Sequence, residues 1–178
     1  MDDIFQDQKF KNVCSDILKY FKNKPFLCTF MSAALLSNLE RIFLDRSFKI
    51  TTGDLLYKDC ILFQQNIDLN LHMSGENNVI NTEWDGHCWV ELDNKYIIDI
   101  SLFRTIYSDA FTKPCKQDIL DTFGVGRGCL IMNKQHCEPF SYVRRNVLQD
   151  GIIDGILKAV SEHRDQFLNC SPCNYRDA

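Results

Sequence analysis

The chain lacks a cluster of lysine and arginine, and its 20 basic residues are outnumbered by 24 acidic ones, for a net charge of −4. That balance argues against nucleic acid as the main partner, because neutralising phosphates needs clustered cations. No stretch approaches the roughly 18 apolar residues of a membrane span. Met1-Asp2-Asp3-Ile4-Phe5 lacks the positive leader and apolar run of a secretory signal. A cytoplasmic protein with no membrane partner is expected. Internal repeats, low-complexity tracts and linkers are also missing, so residues 1–178 are expected to form one domain. The nine cysteines are odd in number and scattered, and do not form a disulfide framework. Most are expected to be reduced and buried, with at least one reactive.

What is present is a globular composition, 45% hydrophobic and 12% aromatic. Phe10, Val13, Cys14, Ile17, Leu18 and Phe21 recur with helical spacing, predicting an amphipathic helix over 3–22 that ends at Asn23-Lys24-Pro25. Residues 27–44 are apolar around most of a helix and predict a central core helix. Phe48 to Tyr57 alternates like a strand, interrupted at Gly53, and Cys60 to Phe63 reads as a second strand. The long connection up to Asp85, with a loop at Ser74-Gly75-Glu76-Asn77-Asn78, can form one wall of a cleft. Further on, Leu102 to Phe111 is ambiguous and Asp118 to Phe123 suggests a short helix. Leu130 to Met132 and Phe140 to Val143 suggest strands, and Val147 to Phe167 a closing helix weakened by Gly151 and Gly155.

Gly86-His87-Cys88-Trp89-Val90-Glu91-Leu92 followed by Tyr96-Ile97-Ile98-Asp99-Ile100 reads as a β-hairpin. A two-residue turn at Asp93-Asn94 would pair Leu92 with Lys95 and turn Asp99 away from His87, since one step of register flips every side chain. A three-residue loop, Leu92-Asp93-Asn94, pairs Glu91 with Lys95 and sets His87 opposite Asp99. The second register is the expected one: Asn94 tolerates the left-handed conformation its third position needs, and Glu91 and Lys95 attract. The plain alternative is a half-buried hairpin whose histidine and aspartate are incidental.

Cys28 stands just after Pro25, where the core helix should begin. A helix N-terminus stabilises a thiolate, and the Cys28 N–H can help bind an oxyanion. His87 would serve as base or imidazolium partner, and Asp99 would hold the ring. The alternative for Cys28 is a small apolar residue in a packed helix.

Taken in order, Cys28 opening an apolar helix, a strand with Gly53, Gly-His-Cys-Trp-Val-Glu-Leu at 86–92 and Tyr-Ile-Ile-Asp-Ile-Ser at 96–101 resemble the transglutaminase-like superfamily, within the broader papain-like cysteine group. Arylamine N-acetyltransferases share a similar arrangement. The resemblance spans roughly residues 25–103. It implies an α+β fold, with N-terminal helices packed on a small antiparallel sheet and the cysteine at a helix start. It further implies Cys28 as nucleophile, His87 as base, Asp99 as orienter and Trp89 as a residue flanking the site. The papain-type glutamine is missing, Lys22 standing there, so the second oxyanion donor is unassigned; Thr29 follows the cysteine where many relatives have an aromatic or histidine.

The remaining motifs are weaker. Cys170-Ser171-Pro172-Cys173 has the spacing of a zinc half-site, for which His163, His136 or Cys137 would have to supply further ligands, but two thiols in a terminal tail explain it better. Gly124-Val125-Gly126-Arg127-Gly128 lacks the strand and helix of a phosphate loop and reads as a turn. Arg144-Arg145 is read as solvated surface. Trp84 and Trp89 flank the histidine, Trp84 positioned to close a cleft and both equally explicable as core. The chain is thus expected to be a cysteine-dependent acyl-transfer enzyme acting on a peptide, protein or small amide or ester substrate, with no metal or organic cofactor. The rival is a catalytically inactive binding or scaffold domain of the same fold.

Overall fold

Asp7 divides the N-terminal apolar stripe into two elements. Its extended backbone (φ −62°, ψ 132°) and its carboxylate, which accepts the Lys9 N–H at 2.7 Å, start helix α1 (Gln8–Tyr20) afresh after a single 3-10 turn at Asp3–Phe5. A short acidic side chain at this position satisfies one of the helix's orphan N–H groups, so the single helix expected over residues 3–22 is two pieces. The computed structural model describes residues 2–22, 25–72 and 84–162.

Helix α2 (Cys28–Ile42) buries Met31, Ala33, Leu35 and Leu39 to 1% exposure or less. Each leucine buried this way contributes about 1.5–3 kcal/mol. Together with α1 and the C-terminal α6 (Asp150–Glu162), it covers one face of an antiparallel sheet. The strands are β1 (Phe48–Tyr57), β2 (Cys60–Phe63), β3 (His87–Leu92), β4 (Tyr96–Asp99), β5 (Leu130–Asn133) and β6 (Phe140–Val147). Short helices α3 (Leu69–His72), α4 (Leu102–Tyr107) and α5 (Lys116–Phe123) connect them. The coarse architecture is the expected α+β arrangement, with the core helix beginning at the cysteine and lying on the sheet.

β1 is long enough to serve three partners. β3 pairs along Phe48–Gly53, β2 along Leu55–Tyr57, and β6 along Thr51–Tyr57. Because β6 overlaps both of the others, β2 and β3 share the opposite edge of β1 end to end, and the sheet curls around β1. Gly53 does not interrupt the strand as expected. A Cβ there would lie 2.0 Å from the Val143 carbonyl oxygen, so its bareness lets β6 close in. The register also slips at this point: Thr52 faces Asn146 and Gly53 faces Arg144, leaving Arg145 as the extra residue of a bulge. Arg145 returns its guanidinium to the buried Asp54 carboxylate at 2.7 and 3.0 Å. This pair fastens the bulge, and Arg145 is more than the solvated surface residue expected.

The hairpin register differs from both that were weighed. β3 and β4 pair Val90 with Ile98, Glu91 with Ile97 and Leu92 with Tyr96, so the loop is Asp93-Asn94-Lys95. Asn94 is left-handed as expected (φ 54°), and so is Asp93 (φ 49°). The reason lies outside the hairpin. Asp93 exchanges hydrogen bonds with Ser47, its N–H donating to the Ser47 carbonyl at 2.7 Å and its carboxylate accepting the Ser47 N–H at 2.9 Å. Arg46 also donates to that carboxylate at 2.7 Å. Captured by the chain entering β1, Asp93 moves the turn by one residue. Glu91 consequently faces Ile97 rather than Lys95, and its buried carboxylate takes Lys134 at 3.0 Å and Lys49 at 3.3 Å. The slip from the expected register is two residues, an even number, so no side chain changes face. Cys88, Val90, Leu92 and Ile98 point to the helices; His87, Trp89, Glu91 and Asp99 share the other face. A second apolar cluster, with Leu55, Leu62, Phe103 and Phe111, covers part of that face.

Several other boundaries moved. β6 runs to Val147, so α6 starts at Asp150 instead of Val147, and of the ambiguous stretch Leu102 to Phe111 only Leu102–Tyr107 is helical, as α4. All seven described cysteines are free; Cys14, Cys28 and Cys88 are buried, and Cys60, Cys115, Cys129 and Cys137 are half-buried. Cys170, Cys173 and His163 lie outside the described residues. Among the described residues, no three His, Cys, Asp or Glu side chains gather as metal ligands, and no helix is long and apolar enough to cross a membrane.

Candidate active site

The turn before α2 is held by an unusual backbone. Phe26 is left-handed (φ 60°), and its N–H donates to the Thr105 hydroxyl of α4 at 3.3 Å. Leu27, the cap residue, provides no side-chain acceptor, and its carbonyl takes the Met31 N–H at 2.9 Å. Cys28 is therefore the first helical residue, where backbone N–H groups have no intrahelical partner and the helix field favours a thiolate. The Ser32 hydroxyl, one turn on, donates to the Cys88 carbonyl at 3.3 Å and ties this end of α2 to β3.

His87 opens β3 opposite Gly53. The register places Asp99 diagonally across from it instead of directly opposite, a separation that long side chains span. They do so here: His87 Nε2 and Asp99 Oδ2 are 2.6 Å apart, both residues 1% exposed. The Tyr142 hydroxyl donates to the same oxygen at 2.8 Å. Asp99 Oδ1 accepts the Ser101 N–H and hydroxyl, each at 3.1 Å, and the Leu102 N–H at 3.0 Å. The carboxylate thus closes β4, starts α4 and holds the imidazole. The Phe63 ring stacks on the imidazole, 4.8 Å between centroids and 16° between planes. His87 Nδ1 is buried with no hydrogen-bond partner. It is the ring nitrogen available to the Cys28 proton.

The charges reinforce one another. The neighbouring Cys88 thiol, by hydrogen bonding, and then the His87 imidazole favour the Cys28 thiolate against the penalty of burial, and lower its pKa to about 5. Burial disfavours charging His87, but the Asp99 carboxylate and then Cys28 outweigh it and raise the imidazole to about 10. Asp99 is held below the ordinary carboxyl range, burial opposing and the His87 charge prevailing. Cys88 moves up, through burial and then its Cys28 neighbour, so it remains the protonated member of the two thiols. The directions of these shifts together favour a thiolate–imidazolium pair backed by a carboxylate.

Cys28 and His87 line an open cleft of about 680 Å³. No protein-family model, curated protein or solved structure matches the chain. The site therefore stands on its own geometry. Cys28 is only 8% exposed and is one of the residues that line the cleft. Of the connection between β1 and β3, Ile61, Phe63, Gln64 and Asp85 line the cleft, and the loop expected at residues 74–78 lies outside the described residues. Trp84 lines the cleft, its indole N–H donating to the Ile67 carbonyl at 3.1 Å, and Gly86 leaves room for that indole. Trp89 does not line it. It is 1% exposed and near-parallel to the imidazole at 6.3 Å, and it lines a separate hollow of about 550 Å³ beside Tyr142 and Arg144. Trp89 thus flanks the histidine, as expected, but from outside the cleft that Cys28 lines.

Three contributors carry no signal in the sequence. Phe63 and Tyr142 arrive on strands far along the chain, and nothing local marks them. Cys88 stands beside the histidine, but alternation turns it to the helix face, where only the packing of α2 brings it to Cys28. The Gly124–Gly128 segment is a loop between α5 and β5, with the Arg127 N–H donating to the Tyr107 hydroxyl at 3.0 Å.

Proposed function

We propose that this chain is a cysteine-dependent acyl-transfer enzyme of transglutaminase-like, papain-like type, hydrolysing or transferring at an amide, peptide or ester bond. One observation carries the reading. An imidazole anchored at Nε2 by a buried carboxylate 2.6 Å away keeps Nδ1 free beside an acidified thiol on an open cleft. Cys28 Sγ attacks the acyl carbonyl, and the Cys28 N–H at the start of α2 takes the developing oxyanion. His87 holds the thiol proton and passes it to the leaving amine or alkoxide. Water or an amine, deprotonated by the same nitrogen, then attacks the thioester and releases Cys28. Asp99 holds the tautomer and orientation of the ring and offsets its charge. Hydrolysis is the simpler outcome, because among the described residues no feature of the cleft specifies an amine acceptor.

Iodoacetamide labelling followed by mass spectrometry across pH tests this reading. Cys28 should be alkylated selectively from about pH 5 upward. In His87→Ala the midpoint should move toward roughly 8.5, the value of a free thiol. Labelling of Cys28 no faster than the other cysteines would leave the chain as a scaffold that keeps the fold without the reaction.

A further inference from the structure

The cleft around Cys28 carries apolar side chains from several elements. Phe26 and Ile61 line the cleft at 48% and 46% exposure. Phe30, Phe63 and Phe111 line the same cleft, the latter two in ring contact at 6.3 Å. Besides Cys28 and His87, the described lining holds two charged residues, Asp85, which already takes the Asn66 amide at 2.6 Å, and Lys113, together with the polar Gln64, Thr105 and Thr112. A volume of about 680 Å³ falls in the range of pockets that enclose a whole small molecule.

Phe26 is the decisive residue. A left-handed backbone (φ 60°) suits glycine or asparagine and is an outlier for a bulky aromatic. The hydrogen bond from its N–H to Thr105 needs only a backbone. Either smaller residue would make the turn with less strain, so the turn does not require this ring, and the ring is not buried in the core. What the ring adds is an apolar surface two residues before the nucleophile, on the rim of the cleft.

We propose that the acyl group delivered to Cys28 is aromatic or long-chain aliphatic, and that Phe26 and Ile61 hold it. This rests on the acyl-transfer reading above. With an activated ester, the Sγ–carbon bond forms as the carbon–oxygen bond to p-nitrophenolate breaks. Water then adds to the thioester carbon, the sulfur–carbon bond breaks with Sγ leaving as the thiolate that faces the His87 imidazolium, and the acid departs as its carboxylate with both protons of the water passing to solvent.

The test compares kcat/KM of the full chain for the p-nitrophenyl esters of acetate, hexanoate and 3-phenylpropanoate, with Cys28→Ala as the blank and intact mass reporting the acyl adduct. The two larger esters should exceed acetate by tenfold or more. Phe26→Asn, which accepts the left-handed turn, and Ile61→Ser should each cut that ratio at least threefold, and circular dichroism identifies a misfolded variant so that the other decides. Equal use of the three esters by a Cys28-dependent enzyme overturns the acyl preference and leaves the acyl-transfer reading intact. A preference that survives both substitutions overturns the roles of Phe26 and Ile61. Release that persists in Cys28→Ala, or no release from any ester, overturns both readings.

Discussion

Asp99 is the residue where site and fold meet, since its carboxylate takes the imidazole, a tyrosine hydroxyl and the first N–H groups of α4. Removing its charge while keeping its shape, as in Asp99→Asn, strips the attraction that outweighs burial at His87. Loss of one member of a buried pair costs about 3 kcal/mol, and a loss of that order is expected in denaturant titrations near pH 7. The cost should depend on pH. His87 is raised, so its share of the stability is complete below the ordinary imidazole value and disappears as pH climbs through about 10. Asp99 is lowered, so its share is present above the ordinary carboxyl range and is lost as pH falls. The gap between wild type and variant should therefore narrow at both ends. A gap constant from neutrality to beyond pH 10 would mean that charge does not hold the pair.

At the scale of elements, two glycines allow close approaches of different kinds. At Gly53 the obstacle to a Cβ is backbone, the Val143 oxygen at 2.0 Å, so Gly53→Ala must push β6 away from β1. An overpacking cost of about 1–3 kcal/mol is expected, read as a lowered Tm. At Gly86 the nearest atoms, at 2.5 Å, belong to the Trp84 side chain, which can swing. Gly86→Ala should spare the Tm and alter tryptophan emission as Trp84 leaves the cleft. The reverse pattern would contradict both assignments. The elements themselves were largely readable, because helical and alternating periods are local: α2, β1 and the hairpin stand close to where the apolar spacing put them. Failures came where a polar side chain acted on backbone, as Asp7 does in splitting the first helix and Asp93 does in moving the turn.

Across the whole molecule, Arg46 joins parts of the chain far apart in sequence. Its guanidinium meets the Asp2 carboxylate at 2.7 and 3.0 Å and that of Asp93 at 2.7 Å, with the side chain 21% exposed. Arg46→Ala should lower Tm by about 2–4 °C, as expected for a loss near 1 kcal/mol in a domain of this size, and by less in high salt, which screens a partly exposed pair. A loss unaffected by salt would point to packing of the arginine stem. The sequence by itself determined which side chains share a face, because alternation along a strand survives an even slip of register: His87 and Asp99 stayed together although their spacing was misjudged. It also determined that Cys28 begins a helix, through Pro25 and the apolar run after it. Only the tertiary structure decided which residues complete the site. Register, the Phe63 stack, the Tyr142 bond and the Cys88 neighbour depend on contacts between segments dozens of residues apart, whose energies do not appear in any local pattern.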